Sequence, residues 1–148
     1  MRKKVRLLTL AALLIAFFCS SVMAESPGDC LTYEKVAVQL TGRIVIKTFP
    51  GRPNYESIAQ GDEPEKPWLL RLSKPICMKA DKDDEFNVAE ARVSEIHLVL
   101  HQEQYRKLRT IMKKGLVTLS GTLFHSFNAH HHARVLMRVT AIKDRQPN

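Results

Sequence analysis

Four histidines within eight residues carry the most recognisable chemistry of this chain. His125 ends the phrase Gly121-Thr122-Leu123-Phe124-His125, the turn Ser126-Phe127-Asn128-Ala129 follows, and His130-His131-His132 comes next. Imidazole is the commonest side-chain ligand for transition metals, so zinc, copper or nickel held by His125, His130 and His132 is one reading of this segment. A hairpin would bring His125 across from the triplet. Because consecutive strand residues face opposite sides, at most two of the three can share a site with it. A closed zinc site normally needs four ligands, and the chain offers no obvious fourth. The same imidazoles equally serve to cap the turn, to stack on Phe124 or Phe127, or to contact a partner.

A second candidate surface lies in the Pro/Gly-rich stretch Pro50-Gly51-Arg52-Pro53-Asn54-Tyr55, where Arg52, Asn54 and Tyr55 offer a cation, an amide and a phenol. With His130, His131 and His132 it makes a binding surface. No serine or cysteine nucleophile stands beside a histidine in a recognisable motif, and no G-x-S-x-G, H-E-x-x-H or phosphate loop occurs. The expectation is a protein that binds rather than catalyses.

Residues 1–24 set the compartment. A basic start (Arg2-Lys3-Lys4), an apolar run from Leu7 to Phe18, and small residues at Val22 and Ala24 make a secretory signal, with cleavage expected after Ala24. The run is too short for the roughly 20 residues that span a bilayer, so no stable membrane insertion is expected after cleavage. Cys19 lies within the apolar run after Phe17 and Phe18, which argues against a lipoprotein. The 148-residue chain has 23 Lys+Arg against 15 Asp+Glu. Setting aside the signal, with its four basic and no acidic residues, leaves 19 against 15. That balance is too mild for a nucleic-acid footprint. A periplasmic or secreted protein is expected, and in an oxidising compartment Cys30 and Cys77 are read as one disulfide. It would tie a lead segment, residues 25–35, to the domain.

The elements that must position these residues follow from periodicity. Val36, Val38, Leu40, Gly42, Ile44 and Ile46 alternate with polar neighbours as a long strand that bends at Gly42. A long loop reaches Pro67. Strand patterns return over Trp68-Leu69-Leu70-Arg71-Leu72 and Lys74-Pro75-Ile76-Cys77-Met78, then over Val93 to Leu100 with a bulge near Ser94-Glu95. The acidic stretch Asp81-Lys82-Asp83-Asp84-Glu85 reads as a solvated turn, since Phe86 and Arg92 occupy positions where a calcium loop needs glycine and glutamate. Tyr105, Leu108, Ile111 and Met112 recur at helical spacing and stop at Gly115. No good N-cap residue precedes Gln102. Strands over 116–126 and 133–142 complete the chain before a flexible tail, 144–148. The order β-β-β-α-β-β, mainly β with one helix, is that of an OB-like five-stranded barrel over residues 36–143. Another small α+β barrel or sandwich has the same order.

The segment Leu119 to His125, the triplet His130-His131-His132 and the strand Val135-Leu136-Met137-Arg138-Val139 together resemble a bacterial family of exported proteins known only as a domain of unknown function. Phe49-Pro50-Gly51-Arg52-Pro53-Asn54-Tyr55-Glu56 and Pro75-Ile76-Cys77 look like the same family. Asn128-Ala129 departs from the Thr-Gly that its turn often carries. The resemblance implies export and a compact domain, and brings no activity.

These readings converge on a small exported binding or interaction module for a protein or cell-envelope ligand, in one version an inhibitor or immunity-type protein acting on an envelope enzyme. The alternative is a histidine-hairpin metal-binding protein. Nucleic acid is disfavoured as a partner by the compartment and the mild charge.

Overall fold

Gly42 is where the first strand changes neighbours. In a computed structural model that describes residues 29–144, strand β1 (Val38–Ile46) pairs through Val38 to Gly42 with β6 (Val117–His125) and through Gly42 to Ile46 with β4 (Trp68–Met78). A Cβ at Gly42 would lie 2.2 Å from the Arg71 carbonyl oxygen, so only glycine lets the backbones come this close. Gly121 repeats the device. There β6 meets β7 (Val135–Asp144) across a register shift, Ser120 facing Ala141 but Gly121 facing Val139, and a Cβ would lie 2.1 Å from the Arg138 carbonyl oxygen. Val38-Gln39-Leu40-Thr41-Gly42 and Val117-Thr118-Leu119-Ser120-Gly121 carry the same V-x-L-[ST]-G phrase, and its two glycines mark the two places where the sheet is coiled tightly enough to close.

Strand β5 (Glu90–Val99) completes a closed barrel in the order β1-β4-β5-β7-β6. All pairings are antiparallel except β5 with β7, which run parallel. Helix α1 (Gln102–Ile111) lies between β5 and β6 in the chain, so the element order and closed mixed barrel are those of an OB-like fold. Leu70, Ile96, Leu98, Leu119, Leu123 and Met137 are fully buried inside it. The helix adds Leu108 and Ile111 to this core. Its buried Gln104 donates Nε2–H to the Val139 carbonyl (2.6 Å) and accepts the His101 N–H (2.9 Å), which supplies the missing start signal.

Several expectations need correction. Strand β1 begins at Val38, and Val36 and Ile46 are exposed, because the strand leaves the core at both ends. The bulge expected at Ser94-Glu95 lies mainly on the partner strand: Arg71 faces Glu95 and Ile76 faces Val93, so Leu72 to Pro75 absorb the extra length opposite Ser94. Strand β5 ends at Val99, one residue before Leu100, and β7 continues through Asp144, where the tail was expected to begin. The expected signal, residues 25–28 and residues 145–148 lie outside the described residues.

The lead segment is part of the fold. The Cys30–Cys77 disulfide is formed. Leu31 bridges in parallel to Met78, its N–H donating to the Cys77 carbonyl and its own carbonyl accepting the Lys79 N–H, each at 2.8 Å. Tyr33 is buried and donates its hydroxyl to the Val88 carbonyl (2.8 Å). Burial, with the Glu90 charge adding to it, pushes its phenol up to about 12.

Candidate functional site

The loop between β1 and β4 is built around one buried carboxylate. Asp62 accepts the backbone N–H groups of Asn54 (2.8 Å), Glu56 (2.7 Å) and Ser57 (2.8 Å). Desolvation works against its charge, but those donors outweigh it and hold the carboxyl below its ordinary range. The short strands β2 (Phe49–Pro50) and β3 (Pro64–Glu65) pair and close the loop's base. A 3-10 turn, Ile58–Gln60, occupies its tip. The loop is thus ordered along its length. It presents Tyr55 with φ of 60°, a left-handed conformation that an aromatic residue holds only when its surroundings impose it.

Glu65, at the end of this loop, holds the 126–134 turn. Its Oε1 lies 2.7 Å from His130 Nδ1 and its Oε2 2.6 Å from His132 Nε2. The Tyr55 hydroxyl lies 2.7 Å from His130 Nε2, which leaves Nδ1 to the carboxylate. Phe49 stacks on His132 with ring centroids 4.5 Å apart. Partial burial raises the Glu65 carboxyl, but the bonds from His132 and His130 prevail and keep it low. The chain Tyr55–His130–Glu65–His132 is therefore a polar relay that fixes two loops to each other and places a phenol hydroxyl at the surface.

Two further imidazoles hold the turn as acceptors. His97 projects from β5 away from the core, since its neighbours Ile96 and Leu98 point inward. Its Nδ1 accepts the His132 N–H (3.3 Å), and His131 Nδ1 accepts the Phe127 N–H (3.1 Å). A protonated Nδ1 cannot accept, so both bonds require neutral rings. Burial, then the His132 and His131 charges, push the His97 ring down to about 4. Burial and the charges of His130, His132 and Arg138 also lower His131.

His125 belongs to a different cluster. Its Nε2 faces Glu90 Oε1 (3.0 Å), its Nδ1 faces the Ser126 carbonyl (3.0 Å), and its N–H donates to Asn87 Oδ1 (3.1 Å). Arg134 also binds Glu90 (3.0 Å). Burial raises the Glu90 carboxyl, yet His125 and Arg134 hold it below the usual range. A groove of about 300 Å³ runs from His132 along β5, flanked by Arg92, Ser94 and Arg134.

The structure thus brings Tyr55, His130 and His132 together and leaves His125 apart. The suggested metal set of His125, His130 and His132 is not assembled. His125 pairs opposite Val135 and turns toward Glu90, whereas His130 and His132 cross to Glu65. Among the described residues, no group of three His, Cys, Asp or Glu side chains is arranged to hold a metal ion. His131 packs against Phe127 and Phe124, as the turn-capping reading expected. Arg52 and Asn54 are exposed, and both take part through the backbone, Arg52 by accepting the Glu63 N–H at 2.7 Å. Sequence reasoning missed Glu65, Asp62, His97 and Asn87. The one usable hint was Gly61-Asp62 at the end of a proline-rich loop, a position where aspartate commonly binds nearby backbone.

No curated protein and no solved structure matches the chain. A family model does match, and its span holds His97, the helix, β6, the whole histidine turn and nearly all of β7, but neither Tyr55 nor Glu65: residues 95–143 are similar to a domain of unknown function, DUF4431.

Proposed function

We propose that this protein is a small exported binding module, acting in an oxidising compartment such as a bacterial periplasm, that engages a protein or cell-envelope ligand. Its contact face is the one where the 49–65 loop and the 126–134 turn meet over β5. The observation that carries this reading is the Glu65 tie, which joins two separate loops into one ordered surface. In OB-like barrels these two loops and the strand face between them are the usual ligand site. Order established before binding lowers the entropy lost on association. The Cys30–Cys77 bridge supports an exported location, because such bonds persist outside reducing compartments. In its sharper form the ligand is an envelope enzyme, and the tied loops enter its cleft as an inhibitor or immunity-type protein would.

The test is quantitative capture from envelope extract by the immobilised mature protein, compared with a Tyr55→Ala/His130→Ala double variant. A component retained in stoichiometric amount by the native protein and reduced about tenfold or more by the variant supports the proposal. Equal retention by both proteins, or no specific retention, overturns it.

A further inference from the structure

On the far side of the histidine turn, two phenylalanines stand in solvent across a groove. Phe86 comes from the 81–87 turn and Phe127 from the 126–134 turn, and they are 61% and 60% exposed. Between them lies a groove of about 280 Å³ whose lining includes the buried Phe124, with Asp84 and Glu34 among its polar residues. Exposed aromatic pairs of this kind are costly to leave in water and mark contact sites. No lysine or arginine is among the residues lining this groove, and His125, which does line it, is turned to Glu90.

We propose that this groove seats an arginine side chain from a partner protein. Three features point to that occupant. The volume suits one long side chain. The exposed rings of Phe86 and Phe127, which line the groove, favour a weakly hydrated planar cation. Asp84 supplies a countercharge whose hydrogen-bond partners are neutral donors, the Phe86 N–H (3.0 Å) and the Asn87 amide (2.9 Å), and among the described residues no lysine or arginine pairs with it. The chain already uses the same mode beside the groove: the Arg138 guanidinium lies 4.3 Å from the centroid of Phe124 and donates to Glu34 at 3.1 Å. That pair neutralises Arg138, leaving Asp84 to meet an incoming cation. None of Tyr55, His130, Glu65 and His132 lines the groove, which shares only the 126–134 turn with the proposed contact face, and its arginine test does not depend on that face binding a ligand.

The test is an NMR titration of the mature protein with N-acetyl-arginine amide, with N-acetyl-citrulline amide as the neutral isostere and N-acetyl-lysine amide as the compact cation. Expected are shifts confined to Phe86, Phe127, Phe124 and Asp84, with arginine binding about tenfold more tightly than citrulline and more tightly than lysine. Phe86→Ala and Phe127→Ala should each weaken arginine at least fivefold, and Phe86→Ala, which removes a ring 61% exposed, is read as the primary variant because the Phe127 ring also packs on His131. Equal binding of citrulline would make the groove an apolar contact only and overturn the proposal, as would shifts mapping elsewhere. Self-association that perturbs the same residues would show the occupant to be a second copy and would also overturn it.

Discussion

Acid should loosen the histidine turn through His97. The ring sits half-buried on β5, faced by His131 and His132 from the turn and by Glu65 from β3. In an unfolded chain it binds a proton near 6.5, and in the fold only near about 4. Between these values the unfolded state holds more protons, so stability rises with pH across the window and is lost as pH falls through it. The displacement corresponds to roughly 3 kcal/mol, and because solvent screens a half-buried ring we expect about 2 kcal/mol over the whole window and about 1 kcal/mol between pH 7 and 5. His97→Asn places an acceptor oxygen near the Nδ1 position, so it can still take the His132 N–H while removing the titration. Urea midpoints at pH 7 and 5 should therefore diverge, the native protein losing about 1 kcal/mol more than the variant. Parallel losses, or a His97 ring that titrates near 6.5 by NMR, would refute the reasoning.

Gly121→Ala forces a Cβ to within 2.1 Å of the Arg138 carbonyl, and we expect a loss of about 3 kcal/mol or no folded product, read by chemical denaturation. Glu65→Gln should cost about 1 kcal/mol at neutral pH and raise amide exchange in both loops together. Because the Glu65 carboxyl is held low, that difference should vanish as pH falls through its lowered value. Replacing Cys30 and Cys77 by serine should remove about 2–4 kcal/mol and release the Leu31 bridge to Met78, seen as rapid exchange at Leu31 and Lys79. Export with cleavage after Ala24, as proposed, predicts an intact mass for a chain beginning at Glu25 and two hydrogens lighter than its reduced form.

The barrel was readable because its cause is local. Alternating apolar residues form strands whatever their partners, and two glycines in the same phrase mark the two tight approaches. The register does shift opposite Ser94, but the extra length there belongs to Leu72 to Pro75 of β4, and a second shift sets Ala91 and Arg92 of β5 opposite Cys77; which strand carries the extra residues depends on the pairing and not on the local sequence. The site was half-readable. Histidines announce themselves, but what they bind depends on residues distant in the chain. Glu65 is an unremarkable charge between Pro64 and Lys66 until the loop folds back 65 residues to meet His130. His97 looks like any outward strand position, and only the turn lying over it makes it an acceptor. Hairpin logic joins strand ends and so groups His125 with the triplet. The triplet instead lies in the turn, and the nearest carboxylate to His125 comes from β5.

The central claim is that the joined loops are the surface that meets a ligand, and site-specific photo-crosslinking in living cells tests it most directly. Photoreactive residues placed at Arg52 and Asn128, both exposed on those loops, should each give the same discrete adduct, while one at Arg109 on the exposed side of the helix should give none. Adducts from Arg109 alone, or none from either loop, would contradict the account.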